Sequence, residues 1–267
     1  MRPEDSGNVG EAMTSDVGEG LGPRNRIDEA ARQAVLDAAA VLQVRRSHVA
    51  AALSRGEDVE AQVMARGIEG TNDWMMRAAY DWRELCSVRP SATVAQLRVS
   101  LPNNRILLER GLRMVSLFDY DRLDRGSRLL LAGEGSECYR FAFATVQMKI
   151  VDRRTVLLQG PFVDGEPTVM AVQSPACLAA ARGYWEAVVA SSFSTSEEPG
   201  RVDGLTPRQQ QIVAMLATDA RDEVVAATLG VSVRTVRSDI AALMEALGVR
   251  SRFSAGLRLQ QVADTEE

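Results

Sequence analysis

Arg234 and Arg237 stand three residues apart in LGVSVRTVRSDIAALMEALGV, residues 229–249, with Thr235 and Ser238 beside them. On a helix, positions three and four apart share a face. An arginine side chain carries a planar fork of N–H donors that fits a phosphate or the acceptor edge of guanine, and serine and threonine hydroxyls suit either partner. The chemistry implied is the reading of duplex DNA, not the making or breaking of bonds. Val236, Ile240, Leu243 and Leu247 form the opposite stripe, the one such a helix would bury.

Charge and composition narrow the alternatives. The formal net charge is −5, so contact with nucleic acid must be confined to one local surface. Of 31 basic residues only Lys149 is lysine, a bias that a high-GC genome produces, so arginine richness alone carries no function. His48 is the single histidine, which argues against a His-based zinc site and against a Ser–His triad. Cys86, Cys138 and Cys177 are far apart with no CxxC spacing, a pattern of reduced thiols. No metal and no cofactor are expected. Hydrophobic residues make up 46% and charged residues 25%, an ordinary soluble composition that supports a sizeable core. No apolar run approaches the roughly 18 residues of a membrane helix. The first residues carry acids and glycines where a secretory signal would be basic and then apolar, so a cytoplasmic location is expected.

The arginines need a frame. Thr206 can cap a helix whose first position is Pro207, where a missing N–H costs nothing. Leu205, Ile212 and Leu216 give that helix an apolar stripe. A short second helix, Asp222–Leu229, ends at Gly230, and Ser232 caps a third. A small residue at 226, glycine at 230 and valine at 236 are what two helices crossing steeply through a tight turn require. Arg234, Thr235, Arg237 and Ser238 then face outward at the N-terminal half of a recognition helix spanning 232–247, the half that enters a major groove. Arg250 and Arg252 follow where the chain would return along the phosphate backbone.

On these residues the stretch 204–256, GLTPRQQQIVAMLA followed later by VVAATLGVSVRTVRSDIAALMEALGVRSRFSAG, resembles the C-terminal DNA-binding domain of LuxR-type (GerE-like) transcription regulators. The resemblance implies a four-helix domain that binds an inverted-repeat operator as a homodimer, with a last helix near 252–262 at the dimer contact. It further implies that Thr206 and Arg208 touch the DNA backbone and that Ser232, Arg234, Thr235, Arg237 and Ser238 lie at the groove. Three positions depart from the family pattern: Gln209 and Val224 replace glutamates, and Asp239 replaces a frequent histidine.

Upstream, residues 1–25 are polar, acidic and glycine-rich and are expected to be disordered. Residues 26–63 carry a long amphipathic helix, assigned to dimerisation, although packing on its own domain is the alternative. Residues 64–190 hold a helix at 72–82, an apolar run at 85–88, a helix at 103–111, and strands at 112–118, 139–144, 148–151, 156–159 and 168–172. A helix at 175–190 closes the region, an α+β or α/β domain. The serine- and glutamate-rich run at 191–203 reads as a linker, and 204–267 is the all-α helix-turn-helix domain.

The segments MARGIEG, LLERGLRMVSLFD and VQMKIVDRRTVLLQGP resemble the phospholipase D-like effector region of TrmB-like regulators. Active members use HxKxxxxD. With Asp152 on the motif's aspartate, Thr145 falls at the histidine and Gln147 at the lysine. The resemblance therefore implies a catalytically dead sensor whose effector, if there is one, is unknown. Trp74, Trp82, Arg89, Tyr139, Arg140, Arg153 and Arg154 are candidates for an anionic or sugar-like ligand. The alternatives are a phosphodiesterase with a DNA-binding tail and an adaptor whose helices bind protein. Related regulators often serve specialised metabolism.

Overall fold

The computed structural model describes residues 27–135, 137–198, 204–216, 218, 220–252 and 254–255. The expected disordered tail 1–25 lies outside them. At the centre stands β2 (Glu84–Arg89), paired in parallel with β3 (Arg113–Asp119) and antiparallel with β5 (Met148–Val151). Both faces of β2 are covered, and Leu85, Ser87 and Val88 are buried. The remaining strands are β1 (Ala61–Arg66), β4 (Tyr139–Ala142), β6 (Thr155–Gln159), β7 (Thr168–Val172) and β8 (Phe193–Ser194). They complete an eight-stranded sheet in the order β1-β7-β6-β5-β2-β3-β4-β8, in which only β2, β3 and β4 run parallel.

Two helical layers cover it. On one face α1 (Glu29–Ser54) and α5 (Pro175–Ala190) bury Val35, Leu42, Ala181, Tyr184 and Val188 against Val88, Leu117, Met148 and Met170. The segment expected to dimerise thus spends its inner stripe on its own domain, and β1 already begins before residue 64. On the other face α3 (Val94–Glu109) sets Leu97 and Leu101 against Phe118, Tyr139 and Leu157. α2 (Ile68–Ala78) and a 3-10 turn at Ala79–Asp81 bring Trp74 and Trp82 to the same layer. No helix among the described residues is long and apolar enough to cross a membrane. None of the three cysteines is in a disulfide; Cys177 is buried and the other two are half-buried.

Several elements depart from expectation. α3 starts nine residues earlier than Asn103, because Thr93 and Gln96 form a reciprocal capping box and the helix carries Pro102 within it. α4 (Arg125–Ala132) has no counterpart among the expected elements; it is short, and Asp124 caps it at Ser127. The first part of the expected linker joins the sheet. Phe193 pairs with Phe141, and the buried Glu198 carboxylate accepts from Arg128 Nε at 3.2 Å. Residues 199–203 lie outside the described residues.

Tyr184 shows how α5 is tied to the sheet. Its hydroxyl accepts the N–H groups of Thr145 and Val146 at 2.9 and 2.8 Å and donates to the Val146 carbonyl at 3.2 Å. Tyr184→Phe leaves these backbone groups without a partner, a cost of roughly 1–3 kcal/mol. Urea unfolding should show a lower midpoint with an unchanged slope.

Candidate nucleic-acid interface

The C-terminal helices form as their local chemistry dictates. α6 (Pro207–Leu216) opens on Thr206, whose Oγ1 accepts the Gln209 N–H at 3.2 Å, while Gln209 Oε1 accepts the Thr206 N–H at 2.8 Å. Glutamine therefore serves as well as the family's glutamate in this capping box. α7 (Asp222–Leu229) ends at Gly230, which adopts φ +66 and ψ 33, the left-handed region where a side chain would be strained. The Val231 N–H then closes on the Ala226 carbonyl at 3.0 Å. α8 (Val233–Ala246) starts at Ser232, whose hydroxyl accepts the Thr235 N–H at 3.1 Å.

Val236, Ile240 and Leu243 are sealed beneath α8, with Ala226 and Val225 of α7. Each valine, isoleucine or leucine side chain so buried stabilises by roughly 1.5–3 kcal/mol. Leu247, expected in this stripe, is the helix's C-cap residue and only half-buried. Arg234, Arg237 and Ser238 are exposed and Thr235 is half-buried, so the outward face of α8 lies where the spacing set it.

Two aspartates organise the cations. Asp222 accepts from Arg237 Nε at 3.0 Å and is forked by Arg252 at 2.8 and 3.2 Å. The hydrogen bond from Arg252, then that from Arg237, holds its carboxyl below the ordinary range. Asp239, at the position of the family's frequent histidine, accepts from Arg208 at 2.7 and 3.1 Å and so ties α6 to α8. Arg234 and Arg250 are exposed and make no hydrogen bond or ion pair among the described residues. Neither aspartate was marked by the sequence as a positioning group, because their partners are 15 to 31 residues away. The helix expected at 252–262 lies for the most part outside the described residues.

Nothing in the sequence marks what the opposite side of these helices does. α6 packs on α4, and Ile212, Met215, Val225 and Val236 belong to one continuous core with Leu130, Leu131 and Leu97. The Glu134 side chain, 4% exposed, sits at this seam. Its carboxylate accepts from Arg105 Nε and from Gln211 Nε2, both at 3.0 Å, and Gln211 also donates to the Leu130 carbonyl. Arg105 continues to the Thr228 carbonyl at the end of α7, at 2.8 Å. The seam thus grips α6 and α7 from behind and leaves the outer face of α8 open.

The residues expected at a phosphodiesterase site are not gathered into one. Asp152 and Arg153 both have positive φ, the signature of a tight hairpin turn, and Asp152 Oδ1 accepts the N–H groups of Arg83 and Glu84 at 2.9 Å. Thr145 is held by Tyr184, and Gln147 is exposed. The ligand candidates are likewise dispersed. Arg140 bonds Ser192, Arg153 bonds Glu84, Tyr139 accepts from Asn104, and Trp74 meets Trp82 edge-on at 6.4 Å between centroids.

Two helices joined through a left-handed glycine turn, the second with an arginine face at its start, form a helix-turn-helix, the class of module that reads DNA. Residues 203–257 match the GerE family, bacterial regulatory proteins of the luxR family, and this segment is a LuxR-type DNA-binding domain. A stretch of 113 residues is 31% identical to the bialaphos biosynthetic pathway regulatory protein of Streptomyces hygroscopicus. It covers 42% of this chain and 44% of that protein, less than half of the relative's length. Among solved structures, the phospholipase D family member Nuc from Salmonella typhimurium superposes on 50% of this chain and 95% of its own, at 15% identity and a TM-score of 0.38. TrmBL2, an archaeal chromatin protein, superposes on 57% of this chain and 61% of its own, at 12% identity and a TM-score of 0.37.

The seam is open to a direct test at Gly133. A Cβ built there would lie 2.1 Å from Gln211 Cγ, with Gln211 itself buried. Gly133→Ala should force α4 from α6 at a cost of roughly 1–3 kcal/mol. Scanning calorimetry should show one cooperative transition in the parent chain and an earlier, separate melting of the C-terminal helices in the variant.

Proposed function

We propose that the chain is a cytoplasmic, sequence-specific transcription regulator that binds an inverted-repeat operator as a homodimer, with α8 in the major groove. The observation that carries this reading is the exposed arginine face of α8, backed by the Asp222 and Asp239 clamps. Arg234 and Arg237, with Ser238 and Thr235, contact base edges. Ser232, Thr206, Arg208, Arg250 and Arg252 contact phosphates. Clamped guanidinium groups lose less freedom on binding, and phosphate oxygens can replace or extend the aspartate contacts.

The N-terminal domain acts as a sensor or dimerisation module without catalysis. Asp152 is occupied by the backbone of Arg83 and Glu84, and neither Thr145 nor Gln147 can supply a nucleophilic imidazole or a cation. With its inner stripe on α5, α1 keeps Leu36, Val41 and Val44 exposed, an apolar face suited to a second copy of the chain. The partial likeness to a biosynthetic pathway regulator supports a role in specialised metabolism.

Gel shifts on the promoter-proximal DNA test the reading. Replacing Arg234 and Arg237 with alanine should weaken specific binding by about 1–3 kcal/mol per base-reading arginine and reduce discrimination between sequences. Affinity of the parent chain should fall steeply with salt as counterions are released. Unchanged specific affinity in a folded double variant removes the proposal.

A further inference from the structure

Among the described residues, the sheet face beneath α3 carries two cations that no acid pairs. Lys149 on β5 stands opposite Ser87 on β2, and its Nζ donates to Ser87 Oγ at 3.1 Å. Arg89 follows two residues along β2, hence on the same face, with its guanidinium 5.2 Å above the Phe118 ring centroid. Continuing the β2–β5 register by one step sets Arg89 beside Gln147, whose side chain reaches solvent. Both cations are half-buried, and among the described residues neither is in an ion pair. Lys149 has two N–H donors to spare, and the Arg89 fork makes no hydrogen bond to a described residue.

This arrangement is costly as it stands. Burial, and then the neighbouring Arg89 charge, bring Lys149 down to about 7, and burial lowers Arg89 as well. Like charges held side by side where water is partly excluded oppose folding unless an anion joins them. The position also matters. Arg89 is the last residue of β2, and open sheets bind ligands outside the carboxyl ends of their parallel strands.

We propose that Arg89 and Lys149, the latter steadied by Ser87, bind the oxyanion of a small metabolite, a phosphate or a carboxylate. An oxyanion bridging the two groups accepts from the arginine fork and from the free ammonium protons, and it neutralises both. The site would give the sensor role proposed above its ligand class, and it rests on that reading only for its effect on DNA binding.

Because Lys149 is the only lysine of the chain, lysine labelled with carbon-13 at Cε gives a single reporter resonance. Titration of the full-length protein with inorganic phosphate, and separately with acetate, at ionic strength matched by chloride, reads the site directly. The expected result is a saturable shift of that resonance with one of the two anions, a rise in the pH at which Lys149 titrates, and loss of both in Arg89→Gln. Saturation by phosphate assigns a phosphoryl headgroup, and saturation by acetate alone a carboxylate. A shift no larger than chloride produces overturns the site, as does a saturable shift that survives in Arg89→Gln. Should that variant not fold, Ser87→Ala takes its place, and a weaker response is expected. DNA affinity is measured in a separate gel shift. An anion that binds without changing it removes the sensor role and leaves the site standing.

Discussion

A carboxylate left 4% exposed between packed helices must have its charge matched by donors, and Glu134 finds them on both sides of the seam. Arg105 comes from α3 and Gln211 from α6, and Arg105 reaches on to the last turn of α7. An apolar contact tolerates sliding; a buried ion that accepts from Arg105 Nε, Arg105 Nη2 and Gln211 Nε2 does not. The pair adds little net stability over a hydrophobic substitute, but it fixes one register of the C-terminal helices against the sheet domain. The direction in which α8 points then follows.

From that register the two faces of the helix-turn-helix divide their work. The rear faces of α6 and α7 continue the core of the sheet domain through Ile212, Met215 and Val225. The front face of α8 keeps its arginines in solvent, and Asp222 and Asp239 hold the guanidinium groups of Arg208, Arg237 and Arg252 in place. Each aspartate lowers the local positive charge, yet each also fixes a guanidinium that would otherwise sample many rotamers. For a module that must meet a rigid duplex, placement of charge matters more than its total.

The C-terminal module was legible because its signals are local. Thr206, Pro207, Gly230 and Ser232 specify caps and a turn within a few residues, and the stripe of Val236, Ile240 and Leu243 repeats at helical spacing. The strands 148–151 and 168–172 and the helix 175–190 could be read for the same reason. What could not be read depends on distant partners. Nothing near Gln211 foretells Glu134, and nothing near Asp222 foretells Arg252. The polar run at 191–198 reads as a linker, yet Glu198 is buried by Arg128, seventy residues earlier in the chain. α3 lost its first half because Pro102 is a local stop signal, overridden by the Thr93 cap and by burial of Leu97 and Leu101.

Arginine accessibility in the DNA complex tests the central claim most directly. Full-length protein would be treated with phenylglyoxal, with and without its promoter-proximal duplex, and modification read residue by residue by mass spectrometry. If α8 enters the groove as proposed, DNA protects Arg234 and Arg237 and leaves Arg105 and Arg128 at their free-protein levels. Protection confined to the sheet domain, with Arg234 still fully modified, would contradict it.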